Sequence, residues 1–149
     1  MEFEHITEKN WQTAIQLKPL SHQSHLLPEN VVMHSMARAF VTREKRDCYL
    51  PYLILHEGKP IGAFLFRNYG HGCNIISFFI DGRYQGKGYG RRAMLHFHAW
   101  VKNNFPRASE VELCVADENT VARRLYENLG YEYTGETSEL GNLYMELHF

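Results

Sequence analysis

A chain of 149 residues, 44% of them hydrophobic, is long enough to close one core and is too apolar to stay disordered. Its 16 basic and 17 acidic residues leave a net charge of −1, so no long-range field gathers nucleic acid or an anionic membrane. The acidic start MEFEHITE is not a secretory signal, the longest apolar run, IISFFI, is far short of the roughly 20 residues of a membrane span, and Cys48, Cys73 and Cys114 are odd in number and scattered. A single cytoplasmic domain over residues 1–149 is expected.

In chain order, residues 2–7 alternate as a short strand, and residues 10–17 hold a helical turn or two before Pro19. The stretch 20–28 is loop-like. From Asn30 to about Arg43, Val31, Val32, Met36, Ala39 and Phe40 recur at helical spacing. CYLPYLILH and PIGAFLFR then read as two strands about the Glu57-Gly58 turn. NIISFFID is a third strand, apolar on both faces as a central strand would be. Helical spacing returns from Arg91 to Asn103, with Pro106 barring its continuation. EVELCV is a strand, and 119–128 a helix stopped by Gly130. EYTGE and LYMELHF close the chain as a hairpin around Gly141-Asn142. The order β α α β β β α β α β β implies an α/β fold with a mixed sheet.

The segment Asp81 to Arg92 carries the most chemistry. A buried strand runs into Gln85-Gly86-Lys87-Gly88-Tyr89-Gly90, and a helix follows. A helix start leaves backbone N–H groups unpaired and presents the positive end of the dipole, and glycines let an anion come close. The magnesium-binding phosphate loop needs Ser or Thr after its lysine, but Lys87 precedes Gly88. The dinucleotide fingerprint starting at Gly86 needs glycine where Arg91 stands. A ligand-free surface turn is the competing reading. Some thirty residues on, Asn119, Ala122 and Tyr126 share one face of a helix that ends before Gly130-Tyr131. An amphipathic helix with Tyr126 half buried is the alternative there.

The arrangement QxxGxG over Gln85–Gly90, followed by Asn119–Tyr131 in the pattern NxxAxxLYxxxG with Tyr131 for the usual Phe, resembles the GNAT superfamily of acetyltransferases over most of the chain. The resemblance implies the GNAT fold, a mixed sheet of about seven strands flanked by helices, and direct transfer of an acetyl group from acetyl-CoA to a primary amine, without a metal. It implies that Gln85, Gly86, Lys87, Gly88, Tyr89, Gly90 and Arg91 hold the diphosphate and that Asn119, Ala122 and Tyr126 face the cofactor arm. It implies also that a splayed strand offers the N–H groups of Phe79, Ile80 and Asp81 to the developing oxyanion, and that Tyr126 stands where the family keeps its general acid.

An alkylamine of pKa near 10.4 is about 1 part in 2,500 neutral at pH 7, a cost of about 4.6 kcal/mol that a base or water chain must meet. Proton transfer from a tyrosine to a thiolate is uphill by about 2 kcal/mol, so a role on the order of 10²-fold is expected, partly as hydrogen-bond donor. Glu110 and Glu112 share one strand face, and either could act through water.

The stretch Gln23 to Ala39 resembles the spermine/spermidine (diamine) acetyltransferase branch. It departs from a polyamine site in having only Glu29 and Glu44 among His22, His25 and His34. An antibiotic amine, a peptide N-terminus and a non-catalytic CoA sensor stay open, as does a homodimer through the closing strands. Neither the pair His22 and His25 nor the pair His96 and His98 has carboxylate or cysteine partners at metal-ligand spacing. Cys114 is read as a packing residue.

Overall fold

The computed structural model describes residues Met1–Phe149. Seven strands form one mixed sheet in the order β1-β2-β3-β4-β5-β7-β6. The strands are β1 (Glu2–His5), β2 (Tyr49–His56), β3 (Lys59–Asn68), β4 (Gly72–Ile80), β5 (Glu110–Val115), β6 (Glu132–Thr137) and β7 (Leu143–His148). The helices are α1 (Trp11–Ala14), α2 (Val31–Thr42), α3 (Tyr89–Asn104) and α4 (Thr120–Asn128). This is the expected fold, with most boundaries within two residues of the sequence reading. No helix is long and apolar enough to cross a membrane.

Strand alternation divides the core between the two faces. On β2, Tyr52 and Ile54 enter a large cluster with Phe97 and Val101 of α3, while Leu53 and Leu55 enter a smaller one with Ala14, Leu17, Val31 and Val32. Aromatic rings lock α3 down: Phe64 and Phe97 meet edge to face at 5.5 Å, and Phe66 and Trp100 at 5.1 Å. The apolar stripe expected along α2 is only partly used. Val31, Val32 and Ser35 are buried, but Phe40 is 63% exposed and lies under the Arg43 guanidinium.

Two irregularities in β4 position the site. First, Phe79 pairs with Ala63 but Ile76 with Leu65, so two residues of β4 stand opposite one of β3; Ser77 there has φ of 52°. This bulge inverts the alternation. Cys73 and Ile75 face the large core before it, whereas after it Ile80 does so and Phe79 joins the smaller cluster. Second, β4 pairs with parallel β5 only over Gly72–Asn74 and Glu110–Glu112. Beyond Asn74 the strands part, and the sheet opens.

Candidate active site

The opening is a cavity of about 390 Å³ walled by the end of β4, the start of α3, the start of α4 and the segment after α1. Of the residues expected at the site, Phe79, Ile80, Gln85, Gly86, Gly88, Tyr89, Gly90, Asn119, Ala122 and Tyr126 line it. Asp81, Lys87 and Arg91 do not. Residues some thirty apart in the chain meet because α3 crosses over from β4 and α4 follows the neighbouring strand β5.

Helix α3 begins at Gly88, which sits in the left-handed region at φ 78° and offers no side-chain cap. The first-turn N–H groups of a 16-residue helix are therefore aimed outward without an internal partner. A Cβ built on Gly86 or Gly88 meets nothing within 4 Å, so the backbone itself is the open surface. Lys87 and Arg91 are exposed beside this turn rather than in it. An anionic, extended ligand such as a diphosphate fits this wall by charge and by access.

The backbone of β4 corrects one expectation. The N–H of Asp81 donates to the Ile61 carbonyl at 2.8 Å, so it cannot face a ligand. Residues of an antiparallel pair alternate the edge they address. Phe79 therefore points its N–H at β3 as Asp81 does, and Ile80, between them, points its own at the gap left by β5. The Asp81 side chain is committed as well. It is 2% exposed and accepts from the N–H of Lys18 at 3.1 Å and from Nε of Arg83 at 2.7 Å. Burial pushes its carboxyl up, but these donors outweigh burial and hold it below the usual carboxylate range.

Asn119 caps α4, its Oδ1 accepting from the Ala122 N–H at 3.3 Å, which leaves only its NH₂ end free of the cap. Tyr126 is 7% exposed, and its ring meets Tyr131 at 5.7 Å. Burial pushes its phenol above the ordinary value near 10, so at neutral pH the group holds its proton. Gly130, at φ 93°, ends the helix, and the Tyr131 N–H returns to the Tyr126 carbonyl at 3.0 Å.

Outside the cleft, Glu112 accepts from Asn74 Nδ2 at 2.8 Å at the last β4–β5 pair. Burial, together with Glu146, Glu110 and Glu136, pushes its carboxyl up against the Asn74 bond. Cys114 is exposed rather than packed; partial desolvation pushes its thiol up. His22 and His25 line the cleft, whereas His96 and His98 belong to packing: His98 meets the Tyr131 hydroxyl at 2.9 Å. Glu110, Glu146 and His148 come together on neighbouring strands away from the cleft, His148 lying 3.8 Å from Glu110 across to β5 and 3.3 Å from Glu146 on its own strand. Sequence reasoning named Gln23 only as the start of the acceptor-side stretch and gave no sign that it bonds Gln85 through both amide groups. A glutamine in a polar loop does not reveal a partner 62 residues away.

A model of the acetyltransferase (GNAT) family matches residues 11–131. The chain belongs to the acetyltransferase (GNAT) family. It is an acetyl-CoA-dependent N-acetyltransferase, as the glycine turn and the α4 motif led us to expect. This GNAT chain is 28% identical over 103 residues to the spermine/spermidine N(1)-acetyltransferase of Bacillus subtilis (strain 168), covering 62% of this chain and 67% of that protein. It is 31% identical over 108 residues to the uncharacterized N-acetyltransferase YbbJ of the same organism, covering 70% of this chain and 67% of that one. Among solved structures, an aminoglycoside acetyltransferase in complex with coenzyme A and kanamycin superposes with a TM-score of 0.77 at 19% identity, over 98% of this chain and 93% of its own. The spermidine N-acetyltransferase of Vibrio cholerae, in complex with CoA and spermine, gives 0.73 at 15% identity, over 99% and 94%. Both likenesses are of fold.

Proposed function

We propose that this acetyltransferase holds acetyl-CoA in the opening between β4 and β5 and passes its acetyl group to a primary amine of a small molecule. The observation that carries the reading is convergence: an uncapped α3 start, the gap-facing N–H of Ile80 and the side chain of Tyr126 share one cleft. Acetyl-CoA supplies an activated thioester; the chain supplies position and charge. The α3 turn receives the diphosphate, with Lys87 and Arg91 alongside as screening cations. The Ile80 N–H donates to the oxygen on which negative charge develops. Tyr126 donates a hydrogen bond to the departing sulfur. Its raised pKa makes it a weaker acid still, which favours the donor role over full proton transfer.

The acceptor reading is a polyamine or another small alkylamine. It draws on the spermine/spermidine relative and on the amines bound in the two fold neighbours. His22, His25 and Glu118 line the cleft outside the cofactor motifs, and an amine entering there meets polar groups. Three unpaired cysteines fit a reducing cytoplasm. The test is a thermal titration with acetyl-CoA, followed by thiol release across spermidine, spermine, putrescine, kanamycin and a peptide amine. Stabilisation with amine-dependent release supports the reading, and the best amine names the acceptor. No stabilisation at saturating acetyl-CoA would overturn it.

A further inference from the structure

The segment from Lys18 to Leu27 is not part of the sheet, yet it supplies His22, His25, Leu26 and Leu27 to the cleft. It is fastened to the end of β4 and the glycine turn by a short set of bonds. Asp81 Oδ2 accepts from the Lys18 N–H at 3.1 Å, and the Gly82 N–H donates to the Lys18 carbonyl at 3.0 Å. Leu20 lies over Gly82 so closely that a Cβ there would stand 2.7 Å from its Cδ2. The last fastening is made by side chains alone. Gln23 Nε2 donates to Gln85 Oε1, and Gln85 Nε2 donates to Gln23 Oε1, each at 2.9 Å. Gln85 Nε2 also reaches the Ile80 carbonyl at 2.8 Å, and Gln23 Oε1 also accepts the Leu20 N–H at 3.1 Å.

We propose that this reciprocal amide pair is a latch, and that Gln23 is a positioning residue that ties the amine-side segment to the cofactor turn. The proposal rests on the reading of the cleft given above. The path is continuous: Gln23 orients the Gln85 amide, and Gln85 holds the carbonyl of Ile80, the residue whose N–H faces the gap. Gln85 is thus committed within the protein and acts on the diphosphate turn by holding its shape. Setting the turn sets the segment, so occupancy by cofactor and by amine are coupled.

The charge of one atom tests this. In Gln23→Glu, an oxygen replaces the N–H that Gln85 Oε1 accepts. Two oxygens then oppose each other unless the new carboxyl is protonated. A carboxyl so placed has its pKa raised by burial and by the facing oxygen, so the pair re-forms in acid and breaks as pH rises. Acetyl-CoA dissociation constants are measured by calorimetry at pH 5 and pH 8 for wild type, Gln23→Glu and Gln23→Leu. Relative to wild type at each pH, Gln23→Leu is expected to bind about tenfold more weakly at both values. Gln23→Glu is expected within about twofold at pH 5 and about tenfold weaker at pH 8, with the amine KM rising in parallel. Binding within twofold for Gln23→Leu at both values overturns the latch, as does an equal loss for Gln23→Glu at pH 5 and pH 8. Wild type that does not bind acetyl-CoA sinks the transferase reading instead. The latch is then judged on the free protein by hydrogen exchange: faster exchange over residues 82–88 in Gln23→Leu upholds it, and unchanged exchange removes it.

Discussion

Gly62 is the position where a single methyl group should do most damage to the site from outside it. It pairs with Ile80 at the end of β4, and a Cβ built there stands 2.3 Å from the Phe79 carbonyl oxygen and 3.2 Å from Ile80 Cα. Carbon and oxygen ordinarily approach to about 3.3 Å, so Gly62→Ala must separate the strands by about 1 Å. Both obstructing atoms are backbone, and no rotamer change relieves them. Overpacking of this kind costs about 1–3 kcal/mol. With a urea slope of about 2 kcal/mol per molar, the midpoint falls by roughly 0.5–1.5 M. The displaced peptides are those of Phe79 and Ile80, so the Ile80 N–H moves with them. A misplacement of about 1 Å in a catalytic donor costs on the order of 10²-fold. Urea unfolding and amine-dependent thiol release on the same preparation check both figures. A Gly62→Ala protein within about 0.5 kcal/mol and twofold of wild type would show that the close β3–β4 approach neither holds β4 nor aims Ile80.

Tyr126→Phe should lower kcat on the order of 10²-fold while leaving acetyl-CoA affinity nearly unchanged in calorimetry; an unchanged kcat removes the hydroxyl from the reaction. Gly88→Ala meets no atom within 4 Å, so its cost is the left-handed backbone alone, about 1–2 kcal/mol by thermal unfolding, together with weaker acetyl-CoA binding. Burial holds the His98 imidazole down to about 4 from 6.5. The folded protein therefore binds that proton less tightly than the unfolded chain, and the stability it contributes is present above pH 6.5 and lost as pH falls towards 4. Discounted for the ring's partial exposure, that loss is about 1–2 kcal/mol. Urea midpoints between pH 7 and pH 4 should fall less steeply in His98→Phe, and equal slopes would refute the assignment.

Elements with their own period or punctuation were legible in the sequence. Strand β5 matches EVELCV residue for residue, and α4 lies between its Asn119 cap and Gly130 as those residues require. The glycine turn and the α4 face could be paired as one site before their distance was known, because together they resemble the two GNAT motifs in the family's order. The bulge in β4 was not legible. NIISFFID is apolar on both faces, so a slip of one residue leaves no trace in the pattern. That slip decides which of Phe79, Ile80 and Asp81 turns its N–H outward, and the sequence reading named all three. Gln85 was likewise read as facing ligand, since an amide does not reveal whether a partner 62 residues away has already claimed it. Cys114 lies on the face of β5 that carries Glu110 and Glu112, opposite buried Val111, Leu113 and Val115, so the alternation of EVELCV already implied its exposure.

The three-residue seam between β4 and β5 has a consequence for the lifetime of the molecule. The sheet is two panels, β1-β2-β3-β4 and β5-β7-β6, hinged along that seam and backed by α3. A ligand lodged in the opening bridges both panels, while a fluctuation that parts them exposes the apolar backing. At a hundredfold excess over its dissociation constant a ligand adds about 2.7 kcal/mol against such opening. The panels should therefore be protease-sensitive together when free and guarded together when charged. The amount of enzyme surviving in a cell would then follow the supply of its acyl donor.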